Sequence, residues 1–204
     1  AGNVGALATQ ALINPTYGPR GLRLLREDAP AQTVVDVLTG SDDGRATRQV
    51  HVQDAAGRIA VYTGADCVSW CGHVAQRGFS VAGNMLAGPE VIAETAREYA
   101  SKAELPFARR LIGALKSGEA AGGDKRGRQS AALIIHTSEE YPALDLRVDD
   151  DADPLAELAR LEVVSRERFV HFVRFFATQA SPAGVYDRAV IEAGIASATA
   201  KDTR

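Results

Sequence analysis

The densest group of reactive side chains in this 204-residue sequence lies in GGDKRGRQS, residues 122–130. Its glycines let the backbone come close to a ligand. Arg126 and Arg128 can each form paired hydrogen bonds to a carboxylate or another anion, and Asp124 can orient an amine or hold an arginine. The stretch lacks the spacing of a phosphate-binding loop and precedes an apolar strand rather than a helix. A solvated turn closed by an Asp–Arg pair is the alternative.

Four further polar residues lie on the first predicted strand or at turns. Thr9 and Gln10 are on that strand, Asn14 follows it, and Asn84 lies in a turn between a strand and a helix. Side-chain amides at such places can donate hydrogen bonds to an oxyanion, whereas Thr9 could attack a substrate only with a base beside it. The alternative is that these side chains cap turns through local hydrogen bonds.

The sequence contains no pattern typical of a metal or cofactor site, and we expect neither group. The two cysteines, Cys67 and Cys71, are separated by three residues, a spacing that suits neither a thioredoxin-type pair nor the usual zinc pair. We expect them to be structural or incidental. The histidines stand at no spacing that predicts metal binding, although the second has a loop context; they are His51, His73, His136 and His171.

The composition excludes several classes of protein. The 23 Lys and Arg residues nearly balance the 26 Asp and Glu residues, with no long run of either sign, so we expect no nucleic-acid partner. No apolar run reaches the roughly 20 residues that span a bilayer, so we expect no membrane partner. Sparse cysteines and the lack of a signal-peptide pattern favour the cytoplasm. A small molecule or a protein is the expected partner.

Hydrophobic periodicity predicts the elements that must position these side chains. The predicted strands and helices alternate in clusters rather than singly, which favours an α+β fold with antiparallel sheets. The predicted order is a strand over 4–10, two short helices broken at 28–30, a hairpin over 50–62, a strand at 79–81, helices from 89 and 105, strands over 130–136 and 143–148, a helix over 155–176 broken near Ser165, and a last helix from Ser181.

An acidic run at residues 149–153 marks the expected boundary between two parts of the chain. We assign residues 1–150 to one domain and residues 151–204 to a C-terminal helical extension, whose first helix begins at the acidic run. The extension is rich in phenylalanine, which suits either contact between subunits of a homodimer or higher homo-oligomer, or packing within the same chain. These residues are Phe169, Phe172, Phe175 and Phe176.

Several motifs occur in a fixed order along the chain: GALATQALINPTYGPRGLRLL, RQVHVQDAAGRIAVYTG, GFSVAGNMLAGPEVI and GEAAGGDKRGRQSAALII. Together they resemble the domain-of-unknown-function 1028 family of the Ntn-hydrolase superfamily, over about residues 1 to 160. The resemblance implies a four-layer αββα sandwich for residues 1–150. It also implies a hydrolase that cleaves a carbon–nitrogen bond, in an amide or related group, of a small substrate.

Members of that superfamily attack with an N-terminal Thr, Ser or Cys, whose own α-amino group serves as the base. The first residue here is Ala1. Family members usually carry a further strand and hairpin upstream of the segment that matches residues 1–10, and the nucleophile is expected there. We therefore expect the domain to lack its first strand in this chain, with a mutated nucleophile as the alternative.

The resemblance also implies roles for the residues at matching positions. Asn84 or backbone N–H groups would stabilise the oxyanion, and Asp124 would orient the attacking amine. Thr9 is the third catalytic candidate. A non-catalytic small-ligand or regulatory binding protein on the same fold is the alternative function, and an anion-binding module is a third. The substrate-binding candidates are Arg126, Gln129, Ser130, Gln10 and Asn14.

Overall fold

The computed structural model describes residues 2–202 and confirms an α+β arrangement with antiparallel sheets. Its contacts divide the chain into two compact units, Asn3–Arg128 and residues 129–202, and Gly2 belongs to the second. The domain boundary at residue 150 stays a prediction. None of the described helices is both long enough and apolar enough to cross a lipid bilayer.

The first unit carries most of the sequence motifs. Its helices and strands agree with the predicted order, except that β4 is additional. In chain order the elements are β1 (Gly5–Ala11), α1 (Tyr17–Arg26), α2 (Ala31–Gly40), β2 (Arg48–Asp54), β3 (Ile59–Thr63), β4 (Gly72–Gln76), β5 (Phe79–Gly83), α3 (Pro89–Ser101) and α4 (Phe107–Ala120).

Strands β1, β2 and β3 form an antiparallel sheet with β2 in the centre. Val50 of β2 lies opposite Thr9 and Tyr62, so these three side chains share one face. That face packs against α1 and α2 in an apolar core. The helix α1 approaches β1 closely through Gly21, because a Cβ at this position would lie 2.3 Å from the Leu7 side chain.

The opposite face of the sheet carries the polar side chains of β2 and is covered by the hairpin of β4 and β5. Helix α3 packs against both strands of the hairpin, and α4 packs along α3. The Phe79 ring of β5 packs in a tilted arrangement against Tyr99 of α3, with ring centres 4.6 Å apart. The Arg110 guanidinium of α4 lies 3.7 Å from the centre of the same Tyr99 ring.

The second unit pairs an antiparallel hairpin with helices. The acidic run ends at Asp153, whose carboxylate caps the first helix by accepting a hydrogen bond from Ala156 N at 3.1 Å. This confirms the predicted helix start. The elements are β6 (Ala131–Ile135), β7 (Leu144–Val148), α5 (Pro154–Glu167), α6 (Phe169–Phe172), a short 3-10 turn (Val173–Phe175) and α7 (Arg188–Asp202).

Two helix boundaries in this unit differ from the prediction. The long helix breaks at Arg168 rather than near Ser165, and the last helix begins at Arg188 rather than at Ser181. The second difference has a local cause, because Gly184 adopts a left-handed φ of 59° and the Asp187 carboxylate accepts a hydrogen bond from Ala189 N at 2.8 Å. The true N-terminal cap therefore lies after the glycine turn.

The phenylalanines of the second unit pack partly on one another. The Phe176 ring lies 5.0 Å from Phe172 and 6.1 Å from Tyr141, whereas Phe169 remains 40% exposed. Packing within the chain therefore accounts for part of this cluster. The predicted homo-oligomer stays a prediction.

The carboxylate of Asp54, at the end of β2, joins the sheet to α2. It is buried and accepts hydrogen bonds from Ala31 N at 3.0 Å, Ala56 N at 3.0 Å and Arg58 Nε at 2.7 Å. We expect Asp54→Ala to lower the free energy of unfolding by about 2 to 4 kcal/mol, because it leaves buried donors without acceptors. Urea denaturation measures this loss. Asp149→Ala, at a side chain that is 76% exposed, is the control and should cost less than about 0.5 kcal/mol.

Candidate functional site

Three irregular segments of the first unit run side by side. The strap (residues 67–71) precedes β4, the turn (residues 84–88) follows β5, and the glycine loop (residues 122–128) follows α4. The half-buried Asn84 opens the turn, and Asp124 lies in the glycine loop. Two of the predicted site residues thus lie on adjoining segments.

The turn and the glycine loop are joined by backbone hydrogen bonds on either side of Asp124. Ala87 N donates to Gly123 O at 3.0 Å, and Lys125 N donates to Met85 O at 3.0 Å. Asp124 itself forms a β-bridge with Leu86. This pairing holds the Asp124 backbone opposite Leu86, which lies two residues after Asn84 in the turn.

The strap is bound to both of the other segments. Each of the three carbonyl groups between its cysteines accepts a hydrogen bond from the turn or the glycine loop. The pairs are Met85 N to Val68 O at 3.0 Å, Lys125 Nζ to Ser69 O, and Leu86 N to Trp70 O at 2.9 Å.

Asp124 and Arg126 form the ion pair that the sequence suggested. Arg126 Nε donates to Asp124 Oδ1 at 2.9 Å and Nη2 donates to Oδ2 at 2.5 Å, in a paired geometry. Arg126 N also donates to Oδ1 at 2.9 Å. The Arg126 side-chain hydrogen bonds hold the pKa of Asp124 below its usual range, so this carboxyl group is ionised at neutral pH. The Arg126 side chain is 64% exposed, so a ligand can reach the guanidinium.

A buried amide connects β1 to the open end of the β4–β5 hairpin. Gln10 Nε2 donates to Gln49 Oε1 at 2.6 Å, and Gln49 is wholly buried. The Gln49 amide nitrogen lies 3.0 Å from Gly72 O and 3.2 Å from Gly83 O, which are the paired first and last residues of the hairpin. Gly83 immediately precedes Asn84, so Gln10 reaches the turn through a continuous chain of hydrogen bonds.

Two histidines extend this polar layer. His51 Nδ1 lies 2.8 Å from Ser80 Oγ, and His73 Nδ1 lies 2.8 Å from Thr63 Oγ1. The two rings are nearly perpendicular, with centres 6.1 Å apart. His51 Nε2 is buried and has no hydrogen-bond partner among the described residues. Burial, followed by the nearby His73, lowers the pKa of His51 to about 4, so its imidazole is neutral at neutral pH.

Sequence reasoning missed Gln49 and Ser80 as parts of this layer, and it considered His51 only for a metal site, which the spacing of the histidines did not predict. A signal was present, because Gln49, His51 and Gln53 alternate with apolar residues and therefore share one face of β2. The described residues contain no group of three His, Cys, Asp or Glu side chains that could hold a metal ion.

Asn14 lies in a separate polar cluster around Asp42. Its amide Nδ2 donates to Asp42 Oδ2 at 3.0 Å, and its Oδ1 accepts from Thr16 N at 3.1 Å. Tyr17 Oη and Arg48 Nε donate to the same Asp42 oxygen at 2.8 and 3.1 Å. Hydrogen bonds from Asn14, Arg48 and Tyr17 hold the pKa of Asp42 well below its usual range. The substrate-binding role of Asn14 stays a prediction.

The other three candidates lie elsewhere in their units. Thr9 Oγ1 is buried on the face of the sheet that carries Val50, and it has no hydrogen-bond partner among the described residues. Thr9 therefore has no base in contact. In the second unit, Gln129 Nε2 donates to Asp150 Oδ1 at 3.1 Å, and Ser130 is exposed.

Loss of the Gln49 amide should weaken the first unit. We expect Gln49→Leu to lower the free energy of unfolding by about 3 kcal/mol, because the Gln10 donor and two glycine carbonyls lose their partner. Gln53→Leu is a matched control on the same strand and face. It should change stability by less than about 1 kcal/mol, and equal losses in the two variants would contradict the role of the Gln49 hydrogen bonds.

The neutral state of His51 should make stability depend on pH. Its pKa is about 4 in the folded chain and 6.5 when unperturbed, so the unfolded chain binds the proton more tightly. The stabilisation is complete above pH 6.5 and is lost as the pH falls through 4, by about 3 kcal/mol. Urea denaturation of wild type and His51→Gln from pH 7 to 4 measures it. The difference between the two proteins should shrink with falling pH, and a constant difference would contradict the prediction.

Comparison with known proteins agrees with the motifs of the sequence. A family model described as a family of unknown function, DUF1028, matches residues 1–158. The crystal structure of protein SPO2555 from Silicibacter pomeroyi, which carries the same family description, is 27% identical with a TM-score of 0.82. That similarity covers 91% of this chain and 81% of the other. No curated protein matches. The chain belongs to the DUF1028 family.

Proposed function

We propose that this protein is a hydrolase of Ntn type that cleaves a carbon–nitrogen bond, in an amide or related group, of a small substrate. The proposal rests on one observation, the order in which the elements of the first unit pack. Helices α1 and α2 cover one face of the three-stranded sheet, the β4–β5 hairpin covers the other, and α3 with α4 lies on the hairpin. This order supports the αββα sandwich expected of that superfamily.

The glycine loop and the turn supply the proposed chemistry. The ionised Asp124 orients the attacking amine, and the exposed guanidinium of Arg126 holds a carboxylate of the substrate. Asn84 and the backbone N–H groups of the turn stabilise the negative charge that develops on the carbonyl oxygen of the substrate. In this proposal the nucleophile is an N-terminal Thr, Ser or Cys that acts with its own α-amino group, a residue that is not evident in this chain. Ala1, to which the expectation of a missing strand or a mutated nucleophile refers, lies outside the described residues.

A small-ligand or regulatory binding protein is the second candidate function. It is favoured by the burial of Thr9 Oγ1 on the apolar side of the sheet, where no base contacts it. Such a protein would use the same Asp124–Arg126 pair to bind an anionic ligand without cleaving it.

Substitution of the ion pair tests the hydrolase. We expect Asp124→Ala and Arg126→Ala to lower kcat/KM by about 100-fold or more in the complete natural protein, because each removes an orienting or binding group. The assay is release of amine or ammonia from a panel of small amides and imides. Arg147→Ala is the matched control, since the Arg147 side chain is 68% exposed, close to the 64% of Arg126, and it forms an ion pair with Asp149, two residues away.

Unchanged turnover in both variants, with the fold intact by circular dichroism, would show that the ion pair is not part of the active site. Intact-mass measurement of the natural protein separates the two candidate functions. Cleavage that exposes Thr, Ser or Cys supports the hydrolase, whereas retained ligand binding without such a residue and without turnover supports the binding protein.

A further inference from the structure

The two cysteines of the chain stand at the two ends of the strap. Cys67 is buried and Cys71 is partly exposed, and both are free thiols. Cys71 Sγ lies 3.5 Å from Cys67 O, and Cys67 Sγ lies 3.3 Å from Arg48 O. The Cys71 thiol therefore points back toward the residue that carries the other thiol.

The Cys71 sulfur lies close to the Cys67 backbone. A carbonyl oxygen lies about 2.4 Å from the Cα of its own residue, so Cys71 Sγ lies within about 6 Å of Cys67 Cα. A disulfide holds its two Cα atoms about 4.4 to 6.8 Å apart, a separation that the strap must reach on closure. Closure requires rotation of the two side chains and adjustment within the five-residue strap.

We propose that Cys67 and Cys71 are a modification site that closes to a reversible intramolecular disulfide, and that this bond restrains the strap and the two segments bound to it. The inference goes beyond the proposed hydrolysis, since it holds equally for a binding protein. In a reducing cytoplasm, where disulfides are usually transient or redox-sensing, the dithiol is the resting state.

The oxidation is balanced with a peroxide as the oxidant. The more accessible Cys71 thiolate attacks one peroxide oxygen, breaks the O–O bond and becomes a sulfenic acid, while hydroxide leaves. Cys67 sulfur then attacks the Cys71 sulfur, the S–S bond forms, and the sulfenic oxygen leaves as water. Two thiols and one hydrogen peroxide thus give one disulfide and two waters. Burial raises the pKa of the Cys67 thiol, so Cys71 rather than Cys67 is the thiol that reacts first with the peroxide.

The strap is placed to transmit this change. Its three internal carbonyls accept hydrogen bonds from Met85, Leu86 and Lys125, so every internal carbonyl contacts the candidate site. These hydrogen bonds break when the strap opens. A disulfide across the five residues of the strap reduces the number of open conformations. The turn and the glycine loop should therefore open less often in the oxidised protein.

Trp70 gives a direct readout, because it is the only tryptophan and lies between the two cysteines. Its ring covers Gly72, where a Cβ would lie 2.3 Å from the indole. The complete protein is treated with dithiothreitol or with hydrogen peroxide, and free thiols, intact mass and Trp70 emission are measured. We expect loss of both thiols, a monomer lighter by two hydrogens, changed Trp70 emission, and reversal by dithiothreitol. Cys71→Ser is the control and should show no change in Trp70 emission.

Hydrogen exchange tests the coupling to the site. We expect the Met85 and Leu86 amides to exchange about tenfold more slowly in the oxidised wild type, and the Ala143 amide of the second unit to be unaffected. Persistence of two free thiols, formation of an intermolecular disulfide, or oxidation of Cys71 to sulfinic acid would each overturn the modification site. A disulfide that leaves the exchange of Met85 and Leu86 unchanged would overturn the restraint. Neither result depends on hydrolysis.

Discussion

The buried side-chain amide of Gln49 is the constraint on which the arrangement of the first unit depends. An amide removed from water must find its hydrogen-bond partners inside the protein, or it costs several kcal/mol. Gln49 finds them on β1, at the first residue of β4 and at the last residue of β5. The sheet and the hairpin can therefore pack in only one register. Because the strap leads into β4 and the turn follows β5 at this point, the same amide fixes where the strap ends and where the turn begins.

The two faces of the three-stranded sheet pack against their neighbouring layers in different ways. Apolar side chains meet α1 and α2 on one face, where burial supplies most of the stabilisation. On the other face, His51 meets Ser80, and Gln49 meets the hairpin ends, so the contact depends on direction as well as on burial. The directional face is the one that leads to the candidate site. A hydrogen-bonded polar layer supplies the positional accuracy that an apolar layer does not.

Much of the fold could be predicted because its signals are local. The apolar periodicity of β1 and the helices, the hairpin of β2 and β3, and the acidic cap at Asp153 each lie within a few residues. Strand β4 escaped prediction because GHVAQ is short and half-exposed, and it does not alternate clearly. The polar residues of β2 resembled a solvent face, since sequence alternation cannot reveal that a second layer covers them. Of the site, the sequence suggested the local Asp124–Arg126 pair and the single residues Asn84 and Gln10, but not the hydrogen bonds that connect Gln10 to the turn. The function of these residues is still a prediction.

The glycine loop depends on local conformation and on long-range packing at the same residues. Gly122, Gly123 and Gly127 have φ values of 120°, 54° and 99°, where other residues are strained. A Cβ at Gly122 would also lie 2.7 Å from the Ala87 Cβ, so the turn can pair with the loop only if this side chain is absent. The glycines thus permit both the backbone path and the close approach that brings Asp124 beside the turn. Several glycines lie beside the ion pair because Asp124 and Arg126 stand on backbone that is hydrogen-bonded to the turn but irregular.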